Sequence, residues 1–193
     1  IRPNTNFWTG WDFGGARLSS GGNLSLYVQF KNLWWTNFGV NYEGRSLSNN
    51  LLRGGPAMLC PSSLNGWFNL GTNRSRKVSL SLYANASRGA EKVSDRFSAG
   101  IDLTVKPGQS FTASIEPSWS INRNELQYVT CAGDNKRYIL SRIDQQIVSM
   151  SVRLNYNITP DLTVQYWGQP FLAAMDYSRF KAVTDPRAKT LAG

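Results

Sequence analysis

Between Gln146 and Phe171 the side chains alternate in character at every step. Val148, Met150, Val152, Leu154, Tyr156 and Ile158 hold one parity, and Ser149, Ser151, Arg153, Asn155 and Asn157 hold the other. After Thr159-Pro160-Asp161 the pattern resumes, with Leu162, Val164 and Tyr166 set against Thr163, Gln165 and Trp167. A strand turns successive side chains to opposite faces, so this stretch specifies a hairpin with one apolar and one polar face. The apolar face must meet either a second layer of protein or lipid, and the rest of the sequence bears on which.

Eight segments share this period: residues 24–30, 34–42, 64–72, 78–87, 97–105, 110–121, 147–158 and 162–169. None of comparable length has helical periodicity, so the expected class is all-β. Of the 33 charged residues, only Asp102, Glu116 and Arg153 fall inside the eight segments. Their polar parity is instead Ser, Asn, Thr, Gln and Gly. A soluble sheet usually dresses its wet face and edges with Lys and Glu, whereas small neutral groups suit a closely packed or hydrated lumen. The connections also alternate in length. Residues 31–33, 73–77, 106–109 and 159–161 are short, and 43–63, 88–96 and 122–146 are longer. In an antiparallel meander this puts every short turn at one end, an asymmetry characteristic of transmembrane barrels. The expectation is an antiparallel up-and-down transmembrane β-barrel, or part of one. It has an N-terminal arm over 1–22, a meander of about eight strands over 24–169, and a tail or loop over 170–193. Trp34, Trp35, Tyr42, Trp67, Trp119, Tyr156, Tyr166 and Trp167 lie near segment ends, where a headgroup-level girdle would stand. The same rings also fit the core of a soluble sandwich.

No run approaches the 18 apolar residues of a membrane helix, which leaves strands as the only spanning element. The net charge of +9 is scattered over separate connections without a basic helix, so nucleic acid is not the expected partner. The sequence opens at Ile1 without a signal segment and is expected to be a mature or partial chain.

The run SRIDQQIVSMSVRLNYNITPDLTVQYWGQPF, followed by DYSRFKAVTDPRA, resembles the C-terminal region of large bacterial outer-membrane proteins, and LLRGGPAM at 51–58 resembles a motif of the same family. That family is an uncharacterised barrel domain placed after a family-9-type carbohydrate-binding domain. The likeness covers residues 20 to 188. It implies an outer-membrane location, further strands or domains of a longer chain, and outer-membrane lipid with a glycan or envelope protein as partners.

The chain has no histidine, which excludes Ser-His and Cys-His nucleophile pairs and His-based metal sites; neither metal nor cofactor is expected. If the Lys106–Gln109 turn pairs residue 104 with 112, Glu116 sits one diagonal step from Asp102, roughly 7–8 Å away. That separation falls within the inverting-glycosidase range. The plainer reading is two lumen charges balanced by Arg153. Cys60 and Cys131, in the two longest connections, are expected to form a disulfide, the alternative being two unpaired thiols. Arg53, Gly54, Gly55 and Pro56 form either an inward-folded plug or an ordinary bend, and with Arg153 they are the candidate binding residues. Three functions follow. The first is a non-enzymatic outer-membrane barrel that anchors, scaffolds or passes material. The second is a soluble secreted carbohydrate-binding sandwich with Trp platforms, and the third is a glycan hydrolase using Asp102 and Glu116.

Overall fold

The computed structural model describes residues 1–133 and 137–190. Its strands are β1 (Arg2–Trp11), β2 (Arg17–Gln29), β3 (Trp35–Glu43), β4 (Ser46–Ser48), β5 (Met58–Cys60), β6 (Ser63–Gly71), β7 (Val78–Gly89), β8 (Ser94–Val105), β9 (Phe111–Ala132), β10 (Arg137–Thr159), β11 (Leu162–Gly168) and β12 (Phe171–Ala182). All pair antiparallel. The main sheet runs β1-β2-β3-β6-β7-β8-β9-β10, with β11 and β12 sharing the far edge of β10, and β4 and β5 form a separate ribbon. The all-β antiparallel expectation holds.

Four expectations are corrected. The sheet has ten strands rather than about eight, and among the described residues β1 does not pair with β11 or β12, so it is open. The expected arm 1–22 contains β1 and the start of β2. The expected tail contains β12, which keeps the register of β11: Val152 faces Gly168 and Ser149 faces Phe171. Only Gln169-Pro170 interrupts this edge, because Pro170 has no N–H to donate to the ladder. The expected loop 122–146 is mostly strand, since β9 and β10 continue as a hairpin through charged residues. Residues 134–136 of that loop and 191–193 of the tail lie outside the described residues.

From β2 to β9 the register runs without a bulge. Parity is therefore transmitted from strand to strand, and the apolar sets of all these strands share one face. Accessibility alternates in the reverse of a soluble sheet. On β9, Ile115, Pro117, Trp119 and Ile121 are exposed while Glu116, Ser118 and Ser120 are partly shielded. No second layer covers the apolar face among the described residues, and Leu24 and Val40 are 60% and 51% exposed. The buried hydrophobic residues are Leu52, Met58, Val93, Leu126, Leu140 and Ile143, all at the end away from the short turns. Of the two faces of the main sheet, the polar one is the less accessible from β2 to β9.

The apolar residues form a slanted band. One hydrogen-bond row runs Tyr42–Leu64–Arg88–Asp95–Arg123–Asp144, starting apolar and ending charged. On β3 the band spans Trp34 to Tyr42, and on β10 it spans Val148 to Tyr156. Relative to the hydrogen-bond rows it drifts by four residues over the five strand steps between them. At ~3.4 Å per residue and ~4.8 Å per strand, the slope is about 30°. The band is about 27 Å long on the strand axis, or about 24 Å after projection.

The polar face accommodates large rings by laying each on a glycine of the neighbouring strand. Trp8 faces Gly21, Trp35 faces Gly71, Trp67 faces Gly39, and Tyr83 faces Gly100. A Cβ at Gly39 would meet Trp67 Cζ2 at 2.4 Å and the Leu24 carbonyl at 2.7 Å. Gly39→Val is therefore expected to cost about 1–3 kcal/mol in urea unfolding, the scale of overpacking. Gly108→Ala, with nothing within 4 Å, is expected to leave the midpoint unchanged.

Candidate functional site

The long connection after β3 folds back over the polar face and caps it. Arg53-Gly54-Gly55-Pro56 makes a tight double bend in which Arg53 N–H donates to Asn50 O and Gly55 N–H to Leu52 O, both at 3.1 Å. Arg53 and Gly54 take φ of 45° and 95°, the left-handed region, which glycine enters freely. This bend presses Leu52, 1% exposed, into a cluster with Met58, Val93, Leu126 and Leu140. The Arg53 guanidinium lies 5.3 Å from the centre of the Tyr128 ring. Gly55 sits so close under Tyr138 that a Cβ would meet its ring at 2.6 Å. Both tyrosines belong to the β9–β10 extension, so that extension holds the loop. The Asp185-Pro186-Arg187-Ala188 run joins the same assembly. Pro186 O accepts from Leu59 N–H at 2.8 Å, and Asp185 Oδ1 accepts from Arg187 N–H at 2.8 Å. The connection that carries RGGP and the segment that carries DPRA therefore meet at Leu59 and Pro186, while Arg53, Gly54 and Pro56 themselves stay exposed on the bend.

Between cap and sheet lies a cavity of about 270 Å³, whose wall includes Cys60, Ser87, Ser94, Arg96, Asn122 and Asn124. Its lining is mixed, hydroxyl and amide groups on the sheet side and Leu51, Pro61, Val93 and Leu126 beside them, with the Arg96 Nε–H donated to Asn122 Oδ1 at 3.3 Å. Beyond the apolar band the charges pair across strands: Arg88 with Asp95 at 2.7 Å, and Arg123 with Asp144 at 2.6 Å. Arg142 also reaches Asp144 at 2.6 Å. Glu125 gathers Lys181, Arg142 and Arg179 at 3.3, 3.6 and 3.8 Å. Hydrogen bonds from Arg142 and then Arg123 hold the Asp144 carboxyl below the usual carboxylate range. The network at this end was not legible from the sequence. Its one signal was the charge density of 122–146, which reads equally as a solvated loop.

Asp102, Glu116 and Arg153 come together on the polar face, with a different register from the one expected. Leu103 faces Ile115 and Gly100 faces Ser118, so Asp102 stands directly opposite Glu116 rather than diagonal to it. The turn is longer than Lys106–Gln109, because Phe111 and Thr112 overhang β8 and pair with β10 alone. The inverting-pair spacing is withdrawn. Asp102 accepts from Thr104 Oγ1 at 2.9 Å, and Arg153 faces Ser114 one step along.

The expected disulfide is also corrected: Cys60 and Cys131 are free thiols. Extension of β9 carries Cys131 to an exposed position five residues past Leu126, while Cys60 stays half-buried in β5, where burial pushes its thiol up. Of the eight girdle aromatics, Trp34, Tyr42, Trp119, Tyr156 and Tyr166 belong to the apolar face. Trp35, Trp67 and Trp167 do not, because they face Gly71, Gly39 and Arg153 on the polar face. Trp67 Nε1 donates to Asn37 Oδ1 at 2.9 Å.

Gly55→Val is expected to displace Tyr138 and speed proteolysis within 44–62, while Gly54→Val, strained but uncrowded, speeds it less. Asp144 has a depressed folded pKa, so its contribution is present above the unfolded carboxylate value and lost as pH falls through the folded one. Acidification is expected to raise amide exchange around 123–126 and 140–144, and Asp144→Asn to flatten that dependence.

Residues 15–188 match the model of a family described as a domain of unknown function, DUF5916. No curated protein and no solved structure matches the chain.

Proposed function

The chain belongs to the DUF5916 family, and from that premise and its geometry we propose that it forms wall strands of a non-enzymatic bacterial outer-membrane β-barrel, serving as anchor, scaffold or passage. The observation that carries this reading is the slanted apolar band. A flat hydrocarbon layer crossed by tilted strands meets each strand at a shifted position, so its imprint must drift along the hydrogen-bond rows. The drift of about 30° lies near the 35–45° tilt of barrel strands. The height of about 24 Å agrees with the ~25 Å outward band of outer-membrane barrels. Aromatic residues stand at both borders, with Tyr42 and Trp119 at one and Trp34, Phe111 and Tyr156 at the other. The short turns lie at the second border.

In this reading lipid replaces the missing second layer. Burying the band in hydrocarbon removes the cost of leaving Leu24, Val40 and their neighbours in water, at ~25 cal/mol per Å². The open edges at β1 and β11–β12 require pairing, because unpaired backbone groups are not tolerated in hydrocarbon; further strands of the same barrel supply it. The polar face, with its cap, faces the lumen, where a glycan or an envelope protein is the partner to test first.

The tilt gives a discriminating test. Phe38, Ile101 and Val152 lie on three different hydrogen-bond rows yet all fall at mid-band. Spin labels at these positions in liposome-reconstituted protein are expected to show equal depth and high oxygen accessibility, and labels at Ser81 and Ser114 to favour the water-soluble relaxant. Mid-band labels that both relaxants fail to reach would indicate a protein layer and sink the reading. Val152→Arg is expected to destabilise the inserted protein by about 2–4 kcal/mol, the midplane cost of a lipid-facing arginine.

A further inference from the structure

At the short-turn end, the polar face collects hydrogen-bond donors that lack acceptors. The backbones of β7 and β8 meet just beyond their ends, where Lys106 N–H donates to Lys77 O at 2.6 Å. This continues the register in which Val78 faces Val105, so Lys77 and Lys106 leave from opposed positions on the polar side. Like charges placed directly opposite destabilise a ladder. Neither lysine has an ion-pair partner among the described residues, whereas at the far end Arg88, Arg123 and Arg142 are all paired.

Beside them, Arg74 lies over the Trp35 ring at 4.7 Å. The indole rests on Gly71, and its Nε1 is buried without an acceptor. Buried N–H groups nearly always have one, and leaving one unmade costs about 1–3 kcal/mol. Trp35, Arg74 and Lys106 line a cavity of about 150 Å³ together with Thr72, Ser79 and Thr104, among others, and Lys77 stands at its edge, opposite Lys106 in the ladder. Its carboxylate, Asp102, already accepts from Thr104 at 2.9 Å and lies four residues inward from Lys106. Charge therefore runs from a cationic rim to an acidic interior, which favours an anion at the rim and opposes its passage further along the face.

We propose that this rim binds a phosphate-type oxyanion, held between the Lys77 and Lys106 ammonium groups, with the Arg74 guanidinium and the Trp35 N–H as further donors. Ammonium and guanidinium groups make short, charge-assisted bonds to such oxygens. The shared chemistry fits both a free phosphorylated solute and a phospholipid headgroup. The site is on the polar face, so the inference does not depend on what covers the apolar one.

The test titrates inorganic phosphate into the purified chain in detergent at constant ionic strength, following the ¹⁵N-labelled indole resonances. Saturable one-to-one binding that shifts one indole signal is expected. Lys77→Gln/Lys106→Gln should weaken it by about tenfold or more, as loss of charge-assisted bonds requires. Trp35→Phe, which keeps an aromatic ring under Arg74 but removes the N–H donor along with part of the indole, should weaken it severalfold. Arg76→Gln, on the same turn, should leave it unchanged. A parallel arm uses nanodiscs of phosphatidylglycerol or phosphatidylcholine. A response to phosphatidylglycerol alone, abolished in the double lysine variant, would assign the oxyanion to a headgroup. No response to phosphate or phosphatidylglycerol, or a double variant that binds like the parent, would overturn the proposal.

Discussion

An antiparallel ladder that keeps its register leaves no strand free to choose which side chains it shows to which face. From β2 to β9 that constraint operates without a break, and every larger feature follows from it. One inserted residue in any of these strands would move half of its apolar set to the other side. The irregularities occur outside the central region, at Gly10/Trp11, between Ile139 and Ile143, and at Asn157/Thr159. Near the second of these, the change in register lets Leu126 and Leu140 both turn inward beneath the loop that carries Leu52. The bulge is thus what converts a uniform wall into a capped one.

The two faces solve different packing problems. On the polar face the sequence uses serine, asparagine and glycine, and each large ring is placed where a glycine opposes it. Trp67 illustrates this: its ring lies over Gly39, and its N–H finds Asn37. The apolar face carries bulk on every strand, and this is where Phe38, Phe68, Leu103 and Trp119 stand exposed. The cap adds the one conventional apolar core among the described residues. It joins two segments distant in sequence, through the Leu59 N–H donated to Pro186 O.

Much of this was legible in the residues. The eight segments are strands, the parity sets share a face, and the short turns fall at one end. The same period-two rule also distinguishes Trp34 from Trp35 and places Trp67 and Trp167 with the polar parity, although their nearness to segment ends suggested a girdle. What escaped were elements whose pattern is masked by composition. In β9 beyond Ile121, the run Asn-Arg-Asn-Glu reads as loop because both parities are polar, and only cross-strand partners such as Asp95 and Asp144 explain the arginine. β12 escaped because Phe171, Met175 and Tyr177 are apolar on the parity that elsewhere is polar. The disulfide failed because loop ends were treated as meeting points, whereas an extended hairpin carries Cys131 outward.

All but two of the main-sheet pairings join strands adjacent in sequence; of the exceptions, β3 to β6 spans only the capping segment and β10 to β12 skips only β11. Contacts of such short separation close quickly and need little loop entropy. The sheet is therefore suited to growth by successive hairpins, each completed ribbon acting as template for the next, so that assembly advances as a zipper rather than by collapse around a nucleus.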